Sequence, residues 1–165
     1  MNALSSIKFP RWNVAKNAAN DLTKGFSAPP IPVLEIAESC SVDVVFADFG
    51  KHSAKVAGFC NFSAAKLFVN REDKPERQTF TIAHELGHWV LHREEFLHDP
   101  EAYPVLARMA SPDNDNAFEK EANKFAAHLL VPSRLLDPVR GAPVASLARA
   151  FGVSKMMMEF RLKNG

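Results

Sequence analysis

The sequence has few cysteines, no long apolar run and no signal-peptide pattern. It has two cysteines, Cys40 and Cys60, and one tyrosine among 165 residues. A disulfide framework is therefore not expected, and a reducing compartment is the default. No stretch reaches the roughly 20 apolar residues of a membrane span, and residues 1–12 lack the apolar run of a signal peptide. We therefore expect a cytoplasmic protein.

Strong net charge is also lacking. The formal net charge is +1, with 24% charged and 47% hydrophobic residues, so nothing global attracts the chain to nucleic acid or a membrane surface. The charge is uneven, because residues 93–121 carry eight acidic and three basic residues, whereas residues 134–165 carry six basic and two acidic ones. Such runs are mostly solvated faces, and the alternative is a basic tail that binds an acidic partner or nucleic acid.

Hydrophobic periodicity and chain-breaking residues predict an α+β protein with a small sheet and a mainly helical C-terminal part. Residues 1–27 form a helical extension, residues 28–140 a core, and residues 141–165 a helical pair packed on that core. Residues 93–116 hold three prolines and are predicted to be a long connection with at most a short helix. The predicted helices are 12–24, 33–39, 76–92, 117–130, 133–137, 144–151 and 154–163, and the predicted strands are 42–47, 56–62 and 67–70.

The run His84-Glu85-Leu86-Gly87-His88 lies inside the predicted helix 76–92. Residues four apart share one helix face, about one turn apart, so the imidazoles of His84 and His88 can reach one metal ion. Glu85 lies about 100° around the helix, beside such an ion, where a general base that activates water is needed. The pattern predicts a catalytic zinc site, and the alternative is two histidines with packing or surface roles.

A catalytic zinc ion takes three protein ligands, and helix 117–130 is expected to supply the third. Glu119 shares one side of this helix with Ala122 and Asn123. Glu121 lies about 100° from Ala122 and points elsewhere. Helical phase therefore favours Glu119 over Glu121 as the ligand, and it places Asn123 to orient a ligand histidine. The alternative for each glutamate is a solvated helix charge. The predicted core face of the helix is Ala122, Phe125, Ala126 and Leu129.

Other residues are weaker candidates. His92 lies four residues after His88. It lies eight residues after His84, however, and is rotated about 80° around the helix from it. We therefore expect it to contact a ligand or to pack rather than to bind the metal. Tyr103, His128 and His98 could stabilise an oxyanion, although a surface or packing role is the default for each. The strands within residues 56–70 could include an edge that pairs with an extended substrate, or they could be structural strands.

Two segments resemble the signatures of ImmA/IrrE-type zinc metallopeptidases. Residues 77–92 resemble the zinc helix of that family, and residues 119–132 resemble its second signature. The resemblance implies a thermolysin-like, zincin-like (gluzincin) fold and a Zn²⁺ ion, with Glu119 as the ligand that completes the site of His84 and His88. It also implies cleavage of a helix-turn-helix repressor, the substrate class of the family. The first 25 or so residues fall outside the resemblance.

Three hypotheses of function follow. The first is a zinc endopeptidase that cleaves a cytoplasmic regulator such as a helix-turn-helix repressor. The second is a metal-containing regulatory binding protein with little or no proteolysis, and the presence of Glu85 favours the first over it. The third is a DNA-binding protein with a structural metal, which is disfavoured because neither cysteine lies at a ligand spacing.

Direct DNA binding by the tail is not expected. Residues 147–162 resemble a helix-turn-helix. However, the second helix of that unit carries Met156, Met157, Met158 and Phe160, which form a poor surface for reading base edges. We expect this helical pair to pack on the core or on a protein partner.

Overall fold

Helices and a small sheet make up the α+β architecture of the computed structural model, which describes residues 9–98, 105–109 and 117–164. The α+β class predicted from the sequence is confirmed. The helices are α1 Trp12–Thr23, α2 Val33–Ser39, α3 Pro75–His98, α4 Ala117–Leu130, α5 Ser133–Leu136, α6 Val144–Phe151 and α7 Lys155–Lys163, and the strands are β1 Asp43–Ala47, β2 Val56–Asn61, β3 Lys66–Asn70 and β4 Val105–Met109.

The sheet has the strand order β1-β3-β2-β4. β3 is parallel to β1, with Val45 opposite Phe68, and β2 is antiparallel to β3, with Phe59 opposite Phe68. β4 pairs antiparallel with the other side of β2. Both strands that were considered as a substrate-binding edge, β2 and β3, are therefore interior in the described sheet, whose edges are β1 and β4.

The prediction for residues 93–116 was wrong at two places. Helix α3 continues six residues beyond the predicted end at His92 and stops at His98, because no helix-breaking residue occurs before Pro100. Phe96 anchors this extension, since it is buried and its ring stacks on Phe62 with centroids 4.8 Å apart. Residues 105–109 add the fourth strand, β4, where a connection was expected.

Helix α3 is buried around its whole circumference between Thr81 and Trp89. The sheet covers one side of it and α4 covers another. Val90, the next residue after Trp89, is exposed. A helix enclosed in this way keeps its polar side chains out of water, so each of them requires a partner inside the protein.

The close approach of α3 and α4 depends on Gly87. A Cβ atom at this position would lie 3.2 Å from the Cα of Ala122 and 3.0 Å from Cδ1 of Phe125. The predicted core face of α4 is buried as expected, and its four residues are each 0% exposed. Small residues at the crossing point thus bring the polar residues on either side of Ala122 within reach of α3.

The terminal helices pack against the same core. α1 uses Ala15, Ala19 and Thr23 as its buried stripe, whereas Trp12 is 48% exposed. α7 is fixed by Arg161, which is fully buried and donates two hydrogen bonds to the carbonyl of Val131, at 3.1 Å from Nε and 2.8 Å from Nη2.

Candidate metal centre

Three side chains from α3 and α4 converge at the crossing of these helices. The Nε2 atom of His84 lies 2.8 Å from Oε2 of Glu119, and the Nε2 atom of His88 lies 3.0 Å from Oε1. One ligand atom from each residue can be chosen so that all three lie within 4.8 Å of one another. Both histidines are 0% exposed and Glu119 is 5% exposed. The cluster is therefore small enough, and sufficiently removed from bulk water, for one ion to bind all three.

Asn123 fixes the orientation of the His84 ring. Its Oδ1 atom lies 2.8 Å from Nδ1 of His84. Because a carbonyl oxygen only accepts, Nδ1 carries the proton and donates it, and the lone pair is left on Nε2. The sequence placed Asn123 one turn beyond Glu119 for this role, and the structure brings the two atoms into hydrogen-bond contact.

His92 and Glu121 act in the same way on His88. Nδ1 of His88 lies 2.9 Å from Nδ1 of His92, and Nε2 of His92 lies 2.8 Å from Oε1 of Glu121. The carboxylate accepts only, so His92 donates from Nε2 and a neutral His92 accepts at Nδ1. His88 then donates from Nδ1, which leaves the lone pair on its Nε2 atom.

The protonation of this group follows from its surroundings. Burial lowers the pKa of His92 to about 4, although the Glu121 hydrogen bond opposes that effect. Burial raises the pKa of Glu121, but the hydrogen bonds from Arg11 and His92 outweigh it and bring the pKa down to about 2. At neutral pH the pair therefore consists of a neutral imidazole and an ionised carboxylate.

Glu119 is also ionised. Burial alone would raise the pKa of its carboxyl, but the adjacent imidazoles of His84 and His88 outweigh burial and lower the pKa well below the ordinary range. A buried carboxylate held between two imidazole nitrogens requires positive charge to offset its desolvation. A divalent cation supplies that charge without protonating either histidine.

Glu85, the residue of α3 that follows His84, is the buried carboxylate of the motif. Its side chain is 0% exposed, and its charge adds to burial in raising the pKa of Cys60 on β2. As the residue after His84, it is turned about 100° away from the ligand row. Its carboxylate therefore lies beside the ligand cluster, on the side of α3 that faces β2.

The donor set fits a divalent metal ion. Two imidazole nitrogens and a carboxylate oxygen are common zinc ligands. The buried Nε2 atom of His88 makes no hydrogen bond of acceptable geometry within the described residues, although Glu119 is close to it. A nitrogen lone pair without a donor is the group that a metal ion coordinates. These residues define a candidate mononuclear metal centre of the His-His-Glu type.

Comparisons with known proteins agree with this class. The sequence model of the Peptidase_M78 family, described as the IrrE N-terminal-like domain, matches residues 37–163. The chain belongs to this family, which confirms the resemblance seen in the sequence.

The chain is also similar to one protein in sequence and to one solved structure in fold. The radiation response metalloprotease IrrE of Deinococcus deserti (strain DSM 17065 / CIP 109153 / LMG 22923 / VCD115) is 34% identical over 95 residues, which are 53% of this chain and 32% of that protein. A Mycobacterium tuberculosis transcriptional regulator shares the fold with a TM-score of 0.61 and 20% identity over 88% of this chain and 45% of that one. The chain thus spans less than half the length of either protein.

The two remaining candidates that the structure describes, His98 and His128, are not brought to the cluster. Tyr103 lies outside the described residues. His98 is exposed at the end of α3, ten residues and therefore about 15 Å beyond His88. His128 lies nine residues after Glu119, on the opposite side of α4. Its nearest charges are those of Arg161, Lys124 and Lys16.

The side chains that hold His92 in place were not predicted from the sequence. Glu121 was expected to point away from the site, and a solvated charge was its alternative, but it is fully buried and holds His92. The helical position of Glu121 was a poor guide because α4 crosses α3 at Ala122. The residues on both sides of Ala122 therefore reach α3, Asn123 to His84 and Glu121 to His92. Arg11, which binds Glu121, gave no signal in the sequence. Among the described residues, no helix is long and apolar enough to cross a membrane.

Proposed function

We propose that this chain is a zinc-dependent endopeptidase of the gluzincin type, with His84, His88 and Glu119 as the metal ligands and Glu85 as the general base. The observation that carries the proposal is the buried cluster of these three ligand atoms, together with the equally buried Glu85 at the position after His84 on α3. A binding module has no use for a second buried carboxylate next to its metal, whereas a hydrolase requires one.

The chemistry divides between the ion and the protein. A bound zinc ion would lower the pKa of water and polarise a carbonyl oxygen. Glu85 takes the proton of the attacking water and then delivers it to the leaving amine. Asn123 and His92 hold the two imidazoles in the tautomer that offers Nε2, and the buried surroundings strengthen each of these interactions.

The proposed substrate is a cytoplasmic regulator, with a helix-turn-helix repressor as the first class to test. The family resemblance supports this class. Cleavage of a folded repressor requires the site to act on an extended segment of its chain, and pairing of that segment with a strand is a common way to hold it. The zinc identity is supported by the nitrogen-rich donor set.

The experiment that tests the proposal measures metal content and cleavage together. The wild-type protein and the Glu85→Gln variant are loaded with one equivalent of zinc and incubated with a peptide library and with purified helix-turn-helix repressors. We expect one zinc per chain in both proteins and cleavage by the wild type alone, with a loss of at least about 100-fold in the variant. Equal cleavage by both proteins would refute Glu85 as the base.

The same experiment separates the main alternative, a metal-containing regulatory binding protein. That alternative predicts one zinc per chain, binding of a repressor by both proteins, and no cleaved product with either. Mass spectrometry of the reaction products distinguishes the two functions, because peptide-bond hydrolysis gives fragments whose summed mass exceeds that of the substrate by one water molecule.

A further inference from the structure

Arg11, the residue that immediately precedes α1, makes an unusually complete contact with Glu121 on α4. Its backbone N–H and its Nε atom both donate to Oε2 at 2.8 Å, and its Nη2 atom donates to Oε1 at 2.8 Å. Glu121 is 0% exposed, whereas the side chain of Arg11 is 40% exposed. One residue at the edge of the protein thus provides three of the hydrogen bonds that a buried carboxylate receives.

This contact is the outer end of a chain of hydrogen bonds that leads to the metal centre. Oε1 of Glu121 accepts from His92 Nε2 at 2.8 Å, and His92 Nδ1 faces His88 Nδ1 at 2.9 Å. Each contact restricts the next, because a carboxylate with both oxygens fixed offers His92 one position and one direction for donation. His92 can then present only a lone pair to His88.

We propose that Arg11 is a positioning residue of the metal centre, acting through Glu121 and His92 to keep the proton of His88 on Nδ1 and its lone pair on Nε2. The inference rests on the proposed metal-binding role of His88. Residue 11 lies outside the part of the chain that matches the family, residues 37–163, so the N-terminal helix contributes to a site whose ligands all lie within that part.

The packing of α1 explains how Arg11 is held in place. Ala15 and Ala19 are both 0% exposed, and such small residues allow a close approach to α4. The carbonyl of Arg11 accepts the N–H of Ala15 at 3.1 Å, which ties residue 11 to the first turn of the helix. The backbone of Arg11 is therefore fixed by the helix, so that only its side chain has to be ordered when the guanidinium binds Glu121.

The chemistry requires arginine rather than any cation. A guanidinium presents two parallel N–H donors that match the two oxygens of a carboxylate, whereas an ammonium makes a single point contact. Without the guanidinium, the donors left to Glu121 among the described residues would be the backbone N–H of residue 11 and the N–H of His92. A buried carboxylate in that state draws water or rotates, and His92 would no longer hold a single position against His88.

The test compares Arg11→Ala and Arg11→Lys with Arg71→Ala as the matched control. Arg71 also pairs with a carboxylate, that of Asp48 at 3.3 Å, but both partners are exposed. Zinc affinity is measured by competition with a chelator, and the tautomers of His88 and His92 are read from long-range ¹⁵N–¹H spectra of the imidazoles in the metal-free and zinc-loaded proteins. Thermal unfolding of the metal-free proteins reports folding separately.

We expect Arg11→Ala to weaken zinc binding by roughly 10-fold, the lower end of the cost for residues that orient metal ligands. The metal-free variant should show mixed tautomers at His88, and Arg11→Lys should restore part of the affinity. Arg71→Ala should leave the affinity and the spectra unchanged. An Arg11→Ala protein with wild-type zinc affinity and a single His88 tautomer would overturn the proposal.

Failure of the inference is distinguishable from failure of the proposed function, because neither readout requires cleavage. A wild-type protein that binds zinc without cleaving any substrate would refute the endopeptidase, while the Arg11 variants would still be judged by affinity and tautomer. A wild-type protein that cleaves, together with an Arg11→Ala variant that keeps both wild-type zinc affinity and a single His88 tautomer, would refute the inference alone.

Discussion

The three histidines of α3 differ in role because their hydrogen-bond partners differ. His84 and His88 each donate from Nδ1 to an acceptor and present Nε2 to Glu119. His92 has both nitrogens engaged by protein atoms, one by His88 and one by Glu121. It therefore has no lone pair left for an ion, although its spacing continues the row. A ring can serve as a ligand where one of its nitrogens keeps a lone pair that no protein donor uses.

The two glutamates of α4 differ in the same way in their contribution to zinc binding. We predict that Glu119→Ala weakens zinc binding by more than about 100-fold, because it removes a direct ligand and its charge, whereas Glu121→Ala weakens it by about 10- to 100-fold, the range for an outer partner. Chelator competition on the two variants measures both values. Glu159→Ala, at an exposed position of α7, is the control and should bind zinc normally.

The opposite order, with Glu121→Ala the more damaging, would overturn the assignment of Glu119 as the ligand. At this scale the three candidate ligands were predictable from the sequence, because the spacing of residues within each of the two helices is a local signal. It did not find Arg11, because a contact between residues 110 positions apart depends on the packing of α1 and leaves no periodic trace.

At the scale of elements, the crossing of α3 and α4 determines the geometry of the site. Asn123 and Glu121 flank Ala122, and each reaches a histidine on a different side of the crossing. This arrangement requires the two helix backbones to be close, and Gly87 provides the space. Gly87, a motif residue that carries no chemistry, thus allows the two ligand-bearing helices to come together.

We predict that Gly87→Ala destabilises the protein and weakens zinc binding. The added methyl group would lie 3.2 Å from the backbone of Ala122, so the helices must separate, at a cost of about 1–3 kcal/mol that exceeds the gain in helix propensity of up to about 1 kcal/mol. Urea unfolding of the metal-free protein and chelator competition measure the two effects.

Gly25→Ala is the matched control, because a Cβ at Gly25 would meet no atom within 4 Å. It should unfold and bind zinc like the wild type. If Gly87→Ala were as stable as Gly25→Ala and kept full zinc affinity, the close crossing would not be what positions the ligands.

The elements themselves were largely predictable. The bounds of α2, α4 and α6 agree with the sequence pattern to the residue, because their apolar stripes and breakers are local signals. The longer α3 was missed although the absence of a helix breaker before Pro100 is a local signal. The presence of β4 was not predictable, because its pairing with β2 depends on contacts between distant parts of the chain.

At the scale of the whole molecule, His128 marks the point where the N-terminal and C-terminal helices meet α4. It is 1% exposed, and the nearby charges are Lys16 of α1, Lys124 of α4 and Arg161 of α7. Burial, and then these three cations, lower the pKa of His128 to about 3. The folded protein therefore keeps this ring neutral over the whole range in which an unfolded chain would protonate it.

The sign of the resulting pH dependence follows from proton binding. Between the unfolded pKa of about 6.5 and the folded pKa, the unfolded chain binds more protons at residue 128, so the free energy of unfolding falls as the pH falls. At one pKa unit for 1.36 kcal/mol, this residue alone would remove up to about 2 kcal/mol between pH 7 and pH 5. Above pH 7 it contributes nothing to the pH dependence.

We predict that His128→Gln removes this component, because glutamine does not titrate. Urea unfolding of wild type and variant, both with excess chelator so that zinc binding does not contribute, is measured at pH 7 and pH 5. The other histidines titrate equally in both proteins, so the difference between the two losses belongs to residue 128, and the wild type should lose up to about 2 kcal/mol more. Equal losses would show that His128 is not buried as a neutral ring, and that the three helices meet less closely around it than the structure places them.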